Sequence, residues 1–564
     1  MSDLRASSAD VIAAAFVDGG VRDIFSVVGG GNLLPMIAAA ERGIDLRAAR
    51  HESGAVAMAA AYAHASGRVG VATTTRGPGF TNTLTALVTV ARDRLPFVLY
   101  TADSLPEERW GNQYLDQRVM SEAAGARFID CTDPARLRQT VLDALAIALQ
   151  DRCAVVLSIP GAVAEAPATD QVAETASRPV PASPNPVPPP DPSVLASIAA
   201  AIDASSRPLI LAGRGAVVAD ARDLLERLGE RIGALFANTL PVSGFFHGND
   251  YEVGVAGGFS LAGRRRLLED ADLVLAFGAG LTSYTTSDGK LFAGATIVQV
   301  DHDPDAIGRK HRADIGLVAD VADAAAALLT ILGDGPAADS GFRTPQTLAA
   351  LQATHRGQDL PDASGPEGLD PRAFLRALDD ALPADRRVVV DLGHHATFST
   401  QTMTFTYPGQ LYNAFGFSAL GLGLPAALGL AVARPDETVV AFVGDGGLCM
   451  SLAELETLAR FEPNLVLVVM NDHGYGAEVH KAGRHGLDPT IAQFPVTPFA
   501  ALAESLGIRS ATVRAPEDVA LVPELVATRT GPLVIDVRMH PFVVGAARYG
   551  RPTEGAVATA AGRS

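Results

Sequence analysis

Two short acidic segments have the composition and spacing to hold a metal ion. Each follows an apolar, β-branched run of strand length: GDGG at 444–447 and NDHG at 471–474. The carboxyl ends of parallel strands lie at one edge of an open sheet, and such sheets bind ligands at this edge. Asp445, Asp472 and a backbone carbonyl near Gly474 are hard oxygen ligands of the kind that Mg²⁺ accepts.

The glycines of the first segment indicate a phosphate group beside the metal. Gly444, Gly446 and Gly447 would let the backbone approach a phosphate closely, and the positive N-terminus of the next helix would favour its charge. Ser451, three residues before Glu454, predicts a capping box at the start of that helix. We interpret the segment as a cradle for a diphosphate and its Mg²⁺. The alternative is a buried strand, turn and helix with solvated acids.

A third candidate, Glu52, lies at a predicted strand-to-helix junction in HESGAVAMAAAYAHASGRVGVATTTRGPGFTN, residues 51–82. Alanine favours helix, so residues 55–65 are predicted to be helical. A strand is predicted at 69–74, and a glycine loop follows it at 75–82. Taken alone, Glu52 could simply stabilise the helix dipole.

Together these segments resemble the thiamine diphosphate (ThDP) enzymes of the acetolactate synthase, pyruvate decarboxylase and benzoylformate decarboxylase type. In that superfamily a GDG motif is followed, further along the chain, by a pair of residues of which the second is usually asparagine. Here 24 residues lie between Gly446 and Asn471. Asp472 occupies the position where that superfamily usually has asparagine. HE and GPG.TN are motifs of its pyrimidine-binding domain. The resemblance covers nearly the whole chain, and ADLVLAFGAG and VDHDPDAIG are most similar to acetolactate synthase large subunits.

The resemblance implies roles for individual residues. Glu52 would hydrogen-bond the aminopyrimidine, Ser418 would meet the pyrimidine amine, and Leu420 would hold the two cofactor rings in a folded arrangement. The residues assigned to the diphosphate and metal are His394, His395, Gly444, Asp445, Gly446, Gly447, Asp472, Gly474 and Tyr475. For Leu420 and the two histidines, the alternative is an ordinary buried residue.

Substrate contacts are less defined. Glu478 matches a glutamate that decarboxylases of this family use for proton steps, unless it faces solvent. Arg76 could hold a substrate carboxylate through two hydrogen bonds. Further pocket candidates are Asn32, Thr75, Gln113 and Gln117. The synthases carry a tryptophan after the metal loop that helps to select the second oxo acid, whereas the single tryptophan here is Trp110.

Composition excludes several classes of protein. The 564 residues carry a net charge of −18, which argues against nucleic-acid or anionic-membrane partners. No uncharged apolar run has the roughly 18 residues that a membrane helix needs, and the N-terminal segment lacks a secretory signal. The three cysteines, Cys131, Cys153 and Cys449, show no zinc-binding spacing. We expect a cytoplasmic protein.

Alternating strand and helix patterns predict an α/β fold of three doubly wound parallel-sheet domains. From 179 to 192, eight residues are proline, which indicates an extended connector. The predicted units are a pyrimidine-binding domain at 1–165, a proline-rich linker at 166–192, a Rossmann-like middle domain at 193–335, a second linker at 336–368, a diphosphate-binding domain at 369–545 and a mobile tail at 546–564.

The resemblance implies a ThDP- and Mg²⁺-dependent transferase or lyase. It would add the cofactor ylide to a 2-oxo acid, release CO₂ and join the remainder to a second carbonyl compound, as acetolactate synthases do. A 2-oxo acid decarboxylase without ligation, or another ThDP-dependent C–C lyase, is the alternative. A homodimer or homotetramer with active sites between subunits is also implied. The middle domain could bind FAD or ADP, but no motif supports either.

Two interpretations that assign the protein to other functional classes are less favoured. A metal-dependent phosphohydrolase could use Asp445 and Asp472 as metal ligands, and a nucleotide-binding module could lack catalysis altogether. Neither explains Glu52 or the GPG.TN loop, so the ThDP enzyme is preferred.

Overall fold

Three parallel six-stranded sheets with interleaved helices make up the protein. The computed structural model describes residues 7–168, 187–333, 335, 339–354, 356–357 and 360–545. This architecture confirms the predicted α/β class with three doubly wound sheets. Much of the first predicted linker, at 169–186, and the tail at 546–564 lie outside the described residues. Within the described ranges, no helix has the length and apolar character to cross a bilayer.

The first sheet is built from the N-terminal third of the chain. Its strands are β1 Asp23–Ser26, β2 Asp45–Ala48, β3 Gly70–Thr74, β4 Phe97–Asp103, β5 Arg127–Asp130 and β6 Ala154–Pro160. Its helices are α1 Ser8–Asp18, α2 Leu33–Glu41, α3 Glu52–Ser66, α4 Pro78–Thr81, α5 Leu84–Asp93, α6 Gln117–Ala123, α7 Leu137–Gln150 and α8 Gly161–Glu165. The strand order is β2-β1-β3-β4-β6-β5.

The second sheet has the strand order of a dinucleotide-type Rossmann domain. Its strands are β7 Pro208–Ala212, β8 Leu235–Asn238, β9 Glu252–Val255, β10 Leu273–Phe277, β11 Thr296–Asp301 and β12 Ile315–Val318. The helices are α9 Pro192–Asp203, α10 Arg214–Val218, α11 Arg222–Ile232, α12 Ala262–Glu269, α13 Ser283–Thr286, α14 Val321–Leu332 and α15 Pro345–Ala353. The order β12-β11-β10-β7-β8-β9 is that of two mononucleotide halves, as predicted for the middle domain.

The third sheet contains both acidic segments. Its strands are β13 Arg387–Val390, β14 Leu411–Asn413, β15 Val439–Gly444, β16 Leu465–Asn471, β17 Arg509–Val513 and β18 Leu533–Arg538. Its helices are α16 Pro371–Ala381, α17 His395–Thr402, α18 Gly423–Ala433, α19 Asp445–Met450, α20 Glu454–Phe461, α21 Gly476–Arg484, α22 Phe499–Ser505 and α23 Val522–Ala527. The order β14-β13-β15-β16-β18-β17 repeats that of the first sheet.

The shared order places a topological switch point in the first and third sheets. From β13 the chain goes outward to β14 and then back across to β15, which leaves a crevice between the carboxyl ends of β13 and β15. The equivalent crevice in the first sheet lies between β1 and β3. The candidate residues of each domain therefore lie at the loops that follow these strands.

Two apolar helices, α3 and α18, join the first sheet to the third. Both are buried over most of their surface, and their side chains belong to one continuous hydrophobic cluster that includes β3, β4, β15 and β16 residues. Close approach depends on Gly429, where a Cβ would overlap the backbone carbonyl of Met58. A helix that is apolar all round is expected in such an interior position.

The predicted capping box at Ser451 is wrong. The helix after the glycine segment begins earlier, at Asp445, and the next helix begins at Glu454 with Ala453 as its N-cap and no side-chain cap. Glu454 does not reach back to Ser451, because its carboxylate accepts hydrogen bonds from the backbone N–H groups of Arg50 and His51. A tertiary contact has replaced the local motif.

Candidate active site

A cavity of about 740 Å³ lies at the switch point of the third sheet. Its walls come from the loops after β13, β15 and β16, from one side of α21 along its length, and from the 258–259 segment and Tyr284 of the middle domain. Such a volume is typical of small-molecule sites. The predicted residues that line it are His394, His395, Ser418, Leu420, Gly444, Asp445, Gly446, Gly447, Asp472, Gly474, Tyr475 and Glu478.

Asp445 and Asp472 are buried side by side at the ends of adjacent strands β15 and β16. Burial, and for Asp445 also the neighbouring charge of Asp472, raises the pKa of both carboxyl groups well above the usual aspartate range. The Oδ1 atom of Asp445 is buried and has no hydrogen-bond partner among the described residues. Two carboxylates so placed favour a cation between them.

The glycines around this pair are required by close contacts. A Cβ at Gly446 would lie 2.7 Å from the Tyr475 ring, and one at Gly447 would lie 2.7 Å from Asp391 Oδ2. A Cβ at Gly476 would overlap the Asp472 carboxylate. Because side chains are excluded, backbone groups line this end of the cavity, as a phosphate cradle requires.

The two predicted histidines are buried and uncharged. Burial lowers the pKa of His394 to about 4 and that of His395 to about 3. Nδ1 of His394 lies 3.6 Å from Oδ2 of Asp472, and the His394 ring packs 4.3 Å, between centroids, from that of His480. The Nε2 atom of His395 is buried without a hydrogen-bond partner in the described part of the chain. Neutral imidazoles can donate one hydrogen bond each to an anion.

The loop at 418–421 is held against the cavity by Asp391, a residue that the sequence analysis did not single out. Asp391 is fully buried; its Oδ2 accepts from the Gly421 N–H at 2.9 Å and its Oδ1 from the Leu392 N–H at 2.9 Å. Ser418 has a φ of 58°, which is unusual for a residue with a Cβ. Leu420 is 37% exposed, so it faces the cavity and is not an ordinary core residue.

Glu52 begins α3, and the second family motif of the first domain contacts it. The Asn82 side-chain amide donates to Glu52 Oε2 at 2.9 Å, and the Ser53 hydroxyl donates to the Asn82 carbonyl. Gly79 lies beside the other carboxylate oxygen, since a Cβ there would be 3.6 Å from Glu52 Oε1. The structure thus brings the HE and GPG.TN motifs together.

A carboxylate from the third domain holds the chain just before Glu52. Glu454 is buried, and its Oε1 accepts from the N–H groups of Arg50 at 3.1 Å and His51 at 3.0 Å. Its Oε2 accepts from the Thr457 hydroxyl at 2.6 Å. Burial raises its pKa, and these hydrogen bonds oppose the rise. The contact fixes the start of α3 relative to α20.

Other candidates in the first domain are engaged in local contacts. Asn32 is buried: its Oδ1 accepts from the Gly29 N–H at 2.8 Å and its Nδ2 donates to Thr73 Oγ1 at 3.0 Å. Thr75 Oγ1 accepts from the Gly31 N–H at 3.4 Å.

Arg76 follows strand β3, and Gln113 and Gln117 follow strand β4. The Arg76 guanidinium pairs with Glu108 at 3.4 Å and donates to Gln113 Oε1 at 3.3 Å. Gln117 is buried and donates to the Ala102 carbonyl at 2.8 Å. None of the first-domain candidates is among the described residues that line the cavity of the third domain.

Comparisons with known proteins identify the family. Residues 7–122 match the N-terminal TPP binding domain of thiamine pyrophosphate enzymes, 195–328 match their central domain, and 391–537 match their C-terminal TPP binding domain. The chain is also 31% identical over 536 residues to an acetolactate synthase large subunit of Parasynechococcus marenigrum (strain WH8102), an alignment that covers 88% of this chain and 82% of that protein. The chain belongs to the thiamine pyrophosphate enzyme family.

Further relatives carry the same name. The acetolactate synthase of Bacillus subtilis (strain 168) is 26% identical over 535 residues, covering 94% of this chain and 92% of that protein. The acetolactate synthase isozyme 3 large subunit of Escherichia coli (strain K12) is 26% identical over 513 residues, covering 89% and 88%. The predicted resemblance to this group of thiamine pyrophosphate enzymes is confirmed.

The residues present fit the cofactor of a thiamine pyrophosphate enzyme. One end of the cavity contains a backbone-lined cradle and the buried pair Asp445 and Asp472. The Oδ1 atom of Asp445 has no hydrogen-bond partner among the described residues. No group of three or more His, Cys, Asp or Glu side chains in the described residues forms a metal centre. A metal bound here would therefore need oxygen atoms from backbone and ligand in addition to the two carboxylates.

Several cavity residues of this thiamine pyrophosphate enzyme were missed from the sequence. Phe259 and Tyr284 come from the middle domain, and their rings stack at 6.4 Å between centroids. No sequence signal placed them near the third domain. Lys481 and Arg484 could have been found, because they lie three and six residues after Glu478 and share its face of α21.

Proposed function

We propose that the protein is a Mg²⁺-dependent ThDP carboligase that acts on 2-oxo acids, and its similarity to proteins named acetolactate synthase supports this proposal. The observation that carries the proposal is the buried pair Asp445 and Asp472 beside the glycine cradle, in the same cavity as Ser418 and Leu420. Asp445, Asp472 and the Gly474 carbonyl would hold Mg²⁺, and the backbone at 444–447 with the neutral His394 and His395 would bind the diphosphate.

The bound cofactor would supply a carbon nucleophile and an electron sink for 2-oxo acid chemistry. Leu420 would pack against the cofactor, and the Ser418 backbone would hydrogen-bond its pyrimidine. Glu52 would hold a proton in a hydrogen bond to that pyrimidine, and Asn82 keeps the Glu52 carboxylate in place from the other side. Glu478 lines the same cavity and would move a proton to or from the reacting molecule.

The site requires two copies of the chain. Glu52 and Arg76 lie in the first domain, whereas the described residues that line the cavity belong to the middle and third domains. We propose that a partner copy places its first-domain switch point over this cavity, in a homodimer or homotetramer. Arg76 would then meet the substrate carboxylate, if it exchanges its contact with Glu108 for one with the substrate.

Decarboxylation without ligation is the second candidate. The position of Glu478 favours this reaction, because its side chain is exposed and lines the cavity. Glu478 could protonate the intermediate that remains after CO₂ loss, whereas in a carboligase a second carbonyl compound would react with that intermediate. FAD or ADP binding in the middle domain would be an addition to either function. The phosphohydrolase and the nucleotide-binding module do not account for the paired TPP binding domains.

A substrate panel tests the proposal. The protein would be loaded with ThDP and Mg²⁺, supplied with pyruvate or benzoylformate, and assayed for CO₂, aldehyde and hydroxyketone products by NMR. We expect CO₂ release together with a ligated product. Aldehyde alone would favour the second candidate, and no consumption of any 2-oxo acid would overturn both. Asp445→Ala is the matched inactive control.

A further inference from the structure

Two cations on α21 line the same cavity as the acid pair. Lys481 and Arg484 lie three residues apart on α21, so their side chains share one face of the helix. They are the only lysine and arginine among the described residues that line this cavity. Lys481 is exposed and makes no ion pair within the part of the chain that the structure describes.

Their distance along α21 separates them from the diphosphate cradle. The helix begins at Gly476, which abuts the Asp472 carboxylate. With a rise of about 1.5 Å per residue, Lys481 and Arg484 lie about 8 and about 12 Å further along the helix axis. Aromatic rings of Phe259 and Tyr284 line another wall of the same cavity. The backbone of both residues therefore starts well away from the acid pair, so their side chains can meet a ligand other than the metal-bound diphosphate.

The positive charges of Lys481 and Arg484 lie in a protein that is acidic overall. The protein has a net charge of −18, and the cavity itself contains Asp445, Asp472 and Glu478. A local pair of cations in such surroundings attracts anions to one point. Both lysine and arginine bind carboxylates, arginine through two parallel hydrogen bonds.

The reaction chemistry restricts which carboxylate is bound. This argument rests on the proposed function. Arg76 is already proposed to meet the carboxylate of the 2-oxo acid donor, which leaves as CO₂ and loses its charge in the transition state. Two further cations on that carboxylate would stabilise the ground state more strongly and slow its loss. A carboxylate that remains in the product does not have this conflict. We infer that Lys481 and Arg484 bind a carboxylate that the reaction retains.

Two molecules could supply the retained carboxylate. One is a 2-oxo acid acceptor, whose carboxylate stays in the ligated product. The other is a donor with a second, distal carboxylate. In both cases Lys481 and Arg484 select an anionic substrate, and they are specificity-determining residues outside the proton-transfer steps.

A binding measurement tests the inference without catalysis. Succinate, an unreactive dicarboxylate, would be titrated calorimetrically into the ThDP- and Mg²⁺-loaded wild type, the double variant Lys481→Gln with Arg484→Gln, and the control Lys290→Gln, whose lysine is exposed and does not line the cavity. We expect the succinate Kd to rise at least about fivefold in the double variant only. Absence of succinate binding to the wild type, or an unchanged Kd, would overturn the inference even if carboligation had been demonstrated.

Kinetics then distinguish the two sources. A selective fall in kcat/KM for CO₂ release from 2-oxoglutarate, compared with pyruvate, would assign the carboxylate to the donor. A selective fall in ligation to 2-oxobutyrate, compared with propanal, would assign it to the acceptor. Equal losses for all substrates, or a loss confined to ThDP affinity, would show that the cations serve the cofactor and that the inference is wrong.

Discussion

At the scale of single residues, Asp445 and Asp472 place two like charges next to each other. Both lie buried at the ends of neighbouring strands, and the pKa of each carboxyl group is raised, chiefly by burial. An asparagine at 472, usual in the family, would leave one charge here. The extra carboxylate increases the local demand for a divalent cation, since two carboxylates sharing a site cannot both ionise without one.

The acid pair predicts how the stability of the metal-free protein depends on pH. A carboxyl pKa raised in the folded state means that folding retains protons which the unfolded chain releases. The contribution of the acid pair to the free energy of unfolding should therefore fall as pH rises from about 4 towards about 8. The lowered pKa values of His394 and His395 act in the opposite direction below the ordinary histidine pKa of 6.5. Thermal melts of the metal-free protein are therefore compared with those of Asp472→Asn, and the Tm of the wild type minus that of the variant should fall as pH rises over this range. The exposed Asp436→Asn is the control. A Tm difference between the wild type and Asp472→Asn that does not change with pH would contradict the prediction.

Glu52 gives the second prediction at this scale. Glu52→Gln keeps the size of the side chain and a hydrogen bond to Asn82 but cannot hold the proton, so kcat should fall by at least about 100-fold. ThDP affinity should change little, because the residues proposed to contact the metal and the diphosphate belong to the third domain. Steady-state kinetics and ThDP titration would be compared with Glu41→Gln, an exposed control. Turnover close to that of the wild type would remove Glu52 from the proposed chemistry.

At the scale of elements, the packing of α3 on α18 joins the Glu52 domain to the cofactor domain. Both helices are buried, and Glu454 adds hydrogen bonds to the backbone just before α3. The position of Glu52 therefore depends on a domain that does not contain it.

A glycine substitution tests this contact. A Cβ at Gly429 would overlap the Met58 carbonyl and lie 2.5 Å from the Met58 Cα, so Gly429→Ala should destabilise the protein by about 1–3 kcal/mol. Gly483→Ala in α21 is the matched control, since nothing lies within 4 Å of its added Cβ. That change should be neutral or stabilising by up to about 1 kcal/mol, because alanine favours helix. Equal urea midpoints for the two variants would contradict the packing argument.

Elements differ in how well the sequence predicts them. The strands β15 and β16 follow from continuous apolar runs, and the loops after them follow from glycine and acid positions, so the proposed metal end of the site can be predicted from the sequence. The Ser451 cap was wrong because a long-range bond from Glu454 to Arg50 and His51 outweighs the local motif. Asp391 was missed because its partner loop lies about 30 residues away, and periodicity carries no information on such contacts.

At the scale of the whole molecule, one chain does not bring the proposed site together. Glu52 and its Asn82 partner belong to the first sheet, and the cavity belongs to the third sheet with a wall from the middle one. The identical strand orders of the first and third sheets give both domains a crevice at the same point, which suits pairing of one with the other across subunits.

Mixing two inactive variants tests this arrangement. In a dimer of one Glu52→Gln chain with one Asp445→Ala chain, one site would combine the intact Glu52 with the intact Asp445. After subunit exchange in an equimolar mixture, about half of the dimers are mixed, and each mixed dimer has one intact site out of two. The activity should therefore reach about one quarter of the wild-type value. Each variant alone is the control. Mixed subunits that stay inactive despite verified exchange would place both residues of a working site in one chain.

The most direct test of the account is a calorimetric titration of the metal-free protein with ThDP. With Mg²⁺ present, we predict saturable binding of one ThDP per chain, lost on chelation of the metal and lost in Asp445→Ala. No ThDP binding in the presence of Mg²⁺, or binding that is indifferent to both the metal and Asp445, would contradict the assignment of this cavity as a diphosphate and magnesium site.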